Sequence, residues 1–525
     1  MKRQQSNRAA FLRMCMLLGF AMFFAGVVVA LFAGSESEAS SRESARVREH
    51  GHPPKPALTP SGGVQQAWVA RYNGPANDVD VPETMDVDDA GNLYVSGYSA
   101  GSNRLDYATV KYDSAGLQQW VARYNGPAND YDIATAIAVD DAGNVYVTGE
   151  SVGSGTTFDY ATIKYDSAGN QQWVARYNGP GSGVDEGTAI AVDDAGNVYV
   201  TGNSVGSGTG ADYATIKYDA EGQQQWVARY NGPGNAEDIP VAIEFDSSGS
   251  VYVTGHSFGS GSGYDYATVK YDSAGQQQWV ARYNGPGNGA DIASDVAVDG
   301  SGNVYVTGGS TGSSTGIDIA TIKYNSSGQE QWVARYNGPG NSVDYAEAIA
   351  IDDLNNVYVA GASASALERY DFATVKYDAA GQQAWVAEYS GTGAGDNQAD
   401  EIEVDSSGSV YVTGESLGFG TGNDYATVKY DSSGQEQWVA RYDGPASADD
   451  FPSGLAIDSS NNVYVTGRST GSGAAFDYAT VKYVQAASPT PTPTATASPT
   501  STPRVTPTPR GGPTPRPRPT PAPRR

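Results

Sequence analysis

Eight tryptophans divide this chain into nearly equal lengths: Trp68, Trp120, Trp173, Trp226, Trp279, Trp332, Trp385 and Trp438, spaced by 52 residues once and by 53 six times. No other tryptophan occurs. So scarce a residue at so fixed an interval marks a repeat protein, in which each period is one supersecondary unit packed on its neighbours. Within a period four short runs recur, quoted from the second full copy as TAIAVD, NVYVTGE, DYATIKYD and QQWVARYN and named a, b, c and d. They are rich in Val, Ile, Tyr, Trp and Thr and bounded by Gly, Asp, Asn and Ser, which is the chemistry of strands joined by tight turns.

The turns point the same way. Between a and b one place is held by Gly91, Gly143, Gly196, Gly249, Gly302, Asn355, Gly408 and Asn461, the residue types that tolerate a positive φ. Between c and d, Gly116, Gly169, Gly222, Gly275, Gly328, Gly381 and Gly434 repeat the signal. Each period is therefore a four-stranded antiparallel meander of the size of a propeller blade. Neither face of b or c is cleanly polar: Val145 and Val147 oppose Tyr146, and Ala161 and Ile163 oppose Tyr160. Such a sheet is expected to pack between two neighbours, with the d-strand tryptophan as a wedge.

The strand inventory predicts closure. The repeats open with a lone d run from Gln65 to Tyr72, continue through seven complete units and finish with a, b and c between Ser453 and Tyr483. The lone d completes the last blade, whereas an open array would leave two unpaired edges. The expected fold is all-β, a single eight-bladed β-propeller of four-stranded antiparallel blades, closed by pairing of the N-terminal strand with the last three strands.

The units IAVDDAGNVYVTG, DYATVKYD and QQWVARYNGP resemble the bacterial SBBP β-propeller repeats, over about residues 65 to 483. The resemblance implies a propeller and an extracytoplasmic setting; it implies no activity. Blade number comes from counting here, because the family name denotes seven blades and this chain shows eight.

Outside the repeats the composition changes. Residues 1–34 join Lys2, Arg3, Arg8 and Arg13 to an apolar run from Met14 to Gly34, the pattern of a signal peptide or an N-terminal membrane anchor. Residues 35–63 read as a disordered linker, 64–484 as the propeller, and 485–525 as a disordered tail rich in Pro, Thr and Arg, suited to an extended stalk. Residues 58–483 hold 18 basic and 55 acidic side chains, a net charge of −37, a field that excludes nucleic acid as a partner and attracts cations. The only cysteine, Cys15, lies in the leader, which removes thiol chemistry from the repeats. A Ser/His/Asp triad there would have to use His256, since the other two histidines, His50 and His52, lie in the linker.

Aspartates are the abundant reactive type. One opens strand c in all eight copies, from Asp106 to Asp477, and a second series lies eight residues before the end of strand a: Asp80, Asp132, Asp185, Asp238, Asp291, Asp344 and Asp450, with Asn397 in the remaining copy. The d-to-a and b-to-c connections of a propeller share a face, so both series crowd one rim. An acidic ring of that kind would take Ca2+; the competing role is structural, each Asp accepting backbone N–H groups or pairing with a repeat Lys or Arg. A third series, from Asp88 to Asp458, begins the a–b turn and reads as Asx-turn chemistry.

A ligand seldom shares eightfold symmetry, so a specific site is sought where the copies differ. His256 occupies one such position, directly after the run VYVTG of b. The most divergent sector runs from Ala362 to Asp400, where Arg369 and Tyr370 enter a changed loop, Glu388 replaces the Arg of WVARYNGP and Asn397 replaces the ring Asp. His256, Arg369, Tyr370, Glu388 and Asn397 are the candidate ligand-binding residues, and no residue is assigned a catalytic role. The expected function is a noncatalytic extracytoplasmic binding or adhesion scaffold that displays loops on a propeller face. A structural cell-envelope protein and a polysaccharide-acting enzyme with a carboxylate pair are the alternatives. A monomer is expected, with a protein or glycan of the envelope as partner, and with the membrane reached only through the N-terminal segment if it stays uncleaved.

Overall fold

In the computed structural model the described residues are 63–485, apart from 102, 103, 182, 366–368 and 474, together with Gly512, Arg516 and Arg518. The leader and most of the linker and tail lie outside them.

Eight separate four-stranded sheets are present. Seven are consecutive meanders; the first runs Asp80–Val87, Leu93–Ala100, Leu105–Tyr112 and Gln118–Tyr124 as strands a to d. The eighth joins the two ends of the repeat region. Strand Val64–Tyr72 pairs antiparallel with Phe476–Gln485, Tyr72 opposite Tyr478 and Val64 opposite Gln485, beside Val463–Thr470 and Asp450–Ile457. The last strand runs to Gln485, one residue beyond the expected boundary, where it pairs with Val64 and its side chain donates to the Tyr411 hydroxyl and the Asn461 carbonyl.

The ring also closes through contacts between its first and eighth blades. The Ser453 hydroxyl donates to the Pro82 carbonyl at 2.8 Å, the Tyr478 hydroxyl to the Ala108 carbonyl at 3.1 Å and Lys482 Nζ to the Ser114 carbonyl at 3.2 Å. Contacts of the same kind join successive blades elsewhere, as from the Tyr160 hydroxyl to the Ala214 carbonyl. The clasp is thus an ordinary blade-to-blade junction, made from the two ends of the sequence.

Strand a lies at the axis. Each a–b ladder bulges once, and where the bulged residue is Thr135, Thr188, Ser294 or Ser453 its hydroxyl donates to a carbonyl of the next blade's a strand. Strand d lies at the rim, its first residues exposed. The core fills the gaps between blades: Val145, Val147 and Ile163 of the second blade pack on Tyr94 and Tyr107 of the first.

The tryptophans do bridge blades, but seven of them are only half-buried. Trp173 Nε1 donates to the Ala220 carbonyl in the next blade's c–d turn at 3.0 Å, and the equivalent bond recurs from Trp68, Trp120, Trp226, Trp279, Trp332 and Trp385. Trp438 alone is buried, against the clasp blade. This contact gives the c–d glycine a second reason to exist. Gly222 sits at φ +79°, and a Cβ there would also stand 2.6 Å from the Trp173 ring.

Candidate functional site

One network recurs at seven of the eight blade junctions. In the second blade Arg176 Nη2 donates to Asp159 Oδ2 at 2.9 Å and to the Ser151 carbonyl at 2.7 Å, while Nη1 reaches Ser151 Oγ at 2.6 Å and the Tyr124 hydroxyl of the preceding blade at 3.1 Å. Arg71, Arg123, Arg229, Arg282, Arg335 and Arg441 bind Asp477, Asp106, Asp212, Asp265, Asp318 and Asp424 in the same way. The guanidinium fork suits this task, holding a carboxylate and a second blade at once.

The a-strand series has an equally local role. Asp80, Asp132, Asp185, Asp238, Asp291, Asp344 and Asp450 are buried, and one oxygen of each accepts the backbone N–H of the glycine six residues earlier, at 2.6–2.8 Å. Burial pushes all seven carboxyls upward in pKa. Among the described residues only one group of three ligand-bearing side chains comes close enough to share an ion, Asp424, Asp443 and Asp450. The Asp88–Asp458 series closes Asx turns, Asp140 Oδ1 accepting from the N–H groups of Ala142 and Asn144.

The b–c and d–a connections do share a face, as the Arg104–Asp130 ion pair and the bond from the Tyr264 hydroxyl to Glu237 show. On that face the sixth blade lacks the arginine network. Glu388, exposed, accepts instead from the Tyr336 hydroxyl at 3.1 Å. Asn397, buried, turns its amide to Asp371 Oδ1 at 3.3 Å, the Gly395 carbonyl at 3.2 Å and the Tyr370 carbonyl at 3.5 Å, while accepting from Ser416 Oγ at 2.6 Å. An Asn can donate to the Asp371 that has lost its arginine; an Asp could not. The two substitutions are therefore one coupled change.

Above them the Tyr370 ring meets Tyr345 at 5.7 Å, the Tyr345 hydroxyl donates to Gln398 Oε1 at 2.9 Å, and the Tyr370 N–H donates to Asp396 Oδ1 at 3.0 Å. Both tyrosines are half-buried, and Arg369 is exposed beside them. Burial, then the Asp396 and Asp344 carboxylates, push the Tyr370 hydroxyl upward in pKa. Tyr370 and Asn397 are thus together, Arg369 stands next to them, and Glu388 lies at the position of the missing arginine. His256 is elsewhere, in the fourth blade. It is 3% exposed, its ring meets the Tyr264 ring edge-on at 5.2 Å, and burial pushes its pKa down to about 4, so it is neutral at pH 7.

Two features were not singled out from the sequence. Strand a carries no Lys, Arg or His in any blade, yet holds Glu83, Asp86, Glu244, Glu347, Asp400 and Glu403 among its acids, so the axis is strongly acidic. Burial raises the Asp86 carboxyl to about 7. The second is a carboxyl pair, Glu150 beside Glu186 across the second and third blades, where burial and then the Glu186 charge hold Glu150 well above the usual range. The two residues are 36 positions apart in different repeats, and only the absence of an acid at most equivalent places could have hinted at them.

The SBBP β-propeller repeat matches at residues 119–155, 172–208, 278–314, 331–367 and 437–473. The regulatory protein FlaEY of Caulobacter vibrioides is 31% identical over 201 residues, covering 32% of this chain and 19% of that protein. The uncharacterized WD repeat-containing protein L264 of Acanthamoeba polyphaga mimivirus is 23% identical over 383 residues, covering 59% of this chain and 27% of that protein. The chain thus spans about a fifth to a quarter of the length of these relatives. Among solved structures, polysaccharide lyase Uly1 aligns over 77% of this chain and 90% of its own at 10% identity, with a TM-score of 0.39, a likeness that carries no inference about activity. Five of the eight periods carry the SBBP β-propeller repeat, and the other three share their sheet topology.

Proposed function

We propose that the protein is a noncatalytic extracytoplasmic binding or adhesion scaffold, and that the loop face of its sixth and seventh blades takes a glycan of the cell envelope. The observation that carries the reading is the loss of the arginine network at Glu388 and Asn397 beneath the Tyr345–Tyr370 pair. Seven junctions use their polar side chains to hold blades together; this one exchanges that contact for a different surface. Two half-buried tyrosine rings bordered by Gln398 and Asp396 combine apolar area with hydrogen-bonding groups, a pairing suited to a sugar ring. The basic and apolar leader and the Pro/Thr-rich tail support export and display away from the cytoplasm.

The test presents the full-length protein to a glycan array and an envelope extract, beside Tyr370→Ala and Glu388→Arg. The expected result is saturable retention without turnover, weakened about tenfold by Tyr370→Ala, a loss of about 1.4 kcal/mol. Glu388→Arg should weaken binding while raising the melting temperature, because an arginine there meets Ser363, Asp371 and Tyr336. Retention of nothing would leave a structural envelope protein, and release of shortened saccharide would make it an enzyme.

A further inference from the structure

We propose that Asp424, Asp443 and Asp450 form a single binding site for a hard divalent cation of the Ca2+ type, at the junction of the seventh and eighth blades. The site does not depend on the glycan reading. Each side chain offers one carboxylate oxygen, and the three oxygens lie within 4.8 Å of one another. Oxygens bound to Ca2+ at about 2.3–2.6 Å are separated by no more than about 5 Å, so one ion reaches all three.

An independent observation points to a missing partner. Asp424 is 1% exposed; its Oδ2 accepts from Arg441 Nη2 at 2.9 Å and from Thr421 Oγ1 at 3.1 Å, which leaves Oδ1 sealed from solvent with no hydrogen-bond donor. A buried carboxylate oxygen without a partner is costly, and a cation in the cluster would supply one.

The other junctions show what makes this one different. Asp159, Asp212, Asp265 and Asp318 have the same orphan oxygen, but Asn178, Asn231, Asn284 and Asn337 stand there in the place of Asp443. Two carboxylates then face one arginine, leaving a net charge of −1. At the seventh junction three carboxylates face Arg441, leaving −2, which a divalent ion neutralises.

The turn has adapted to the third carboxylate. Elsewhere an Asn pair closes it, as from Asn337 Nδ2 to Asn341 Oδ1 at 2.8 Å, whereas here Ser447 Oγ donates to Asp443 Oδ2 at 3.3 Å. Ser447 keeps the positive φ of 46° that Asn adopts at the equivalent places.

The test uses full-length protein stripped with EDTA and titrated with Tb3+, whose luminescence the adjacent Tyr442 and nearby Trp438 sensitise, with Ca2+ then added as competitor. The expected result is saturation at one ion per chain, displaced by Ca2+. Asp443→Asn should weaken binding at least about tenfold without lowering the melting temperature in EDTA, because Asn occupies that place in other blades. Asn337→Asp should add a second ion at the fifth junction, beside Asp318 and Asp344. Absence of saturable binding, unchanged binding by Asp443→Asn, or a single ion in Asn337→Asp would each overturn the assignment.

Discussion

Removal of residues 58–75 is expected to destabilise the ring by more than about 5 kcal/mol, enough to leave little folded protein at 37 °C. The deleted segment supplies the outer strand of the eighth blade, and with it buried Val64, Ala70 and Tyr72, half-buried Trp68 and the Arg71–Asp477 pair. Each large apolar side chain withdrawn from water is worth about 1.5–3 kcal/mol, and the last strand would be left as an unpaired edge. Because a domain is stable by only about 5–15 kcal/mol, thermal melts and size-exclusion profiles should show the loss plainly. A melting temperature equal to that of the intact chain would mean that the first strand does not belong to the eighth blade.

Arg229→Ala is expected to cost about 3 kcal/mol, read as a shift of the chemical denaturation midpoint. Arg229 makes four bonds at one junction, to Asp212, Ser204 Oγ, the Ser204 carbonyl and the Tyr177 hydroxyl of the preceding blade. Breaking a buried pair costs about 3–5 kcal/mol because the remaining carboxylate stays buried; the arginine side chain is 22% exposed, which places the effect at the lower end. Arg229→Lys should recover only part of the loss, since an ammonium cannot fork between Asp212 and Ser204. A cost below about 1 kcal/mol for Arg229→Ala would show that the arginine network contributes little to holding the blades together.

The fold was readable because it is written eight times. Period, turn glycines and strand chemistry each recur, so one misread residue does not disturb the pattern, and the lone d strand at one end with the unfinished a, b and c at the other discloses the clasp. The register across it, Tyr72 on Tyr478, follows from aligning the copies. The aspartate series were visible but their task was not decided, because a sequence does not say whether a carboxylate faces an arginine, a backbone N–H or an ion. Here Asp159 faces Arg176 and Asp185 faces the Gly179 N–H.

Contacts between blades were the least readable. Glu388 and Asn397 were conspicuous as departures, yet their coupling through Asp371 and Tyr336 exists only in three dimensions. Glu150 and Glu186 meet across two repeats in the same way. Asp443 left a trace, the run RYDGP where six other copies read RYNGP, but a single Asn-to-Asp change among so many acids gives no sign that two further carboxylates await it. His256 drew notice as a rare residue; burial makes it a neutral packing group in the fourth blade.

The closed ring is tested most directly by a cross-link across the clasp. Gln65 and Val484 are paired residues of the first and last strands, so cysteines at both, with Cys15→Ser to remove the native thiol, should oxidise to an intramolecular disulfide in the folded protein. The expected product is a monomeric species of altered gel mobility, restored by reductant, with a raised melting temperature. Free thiols after oxidation, or disulfides formed only between molecules, would contradict a propeller whose two ends share one sheet.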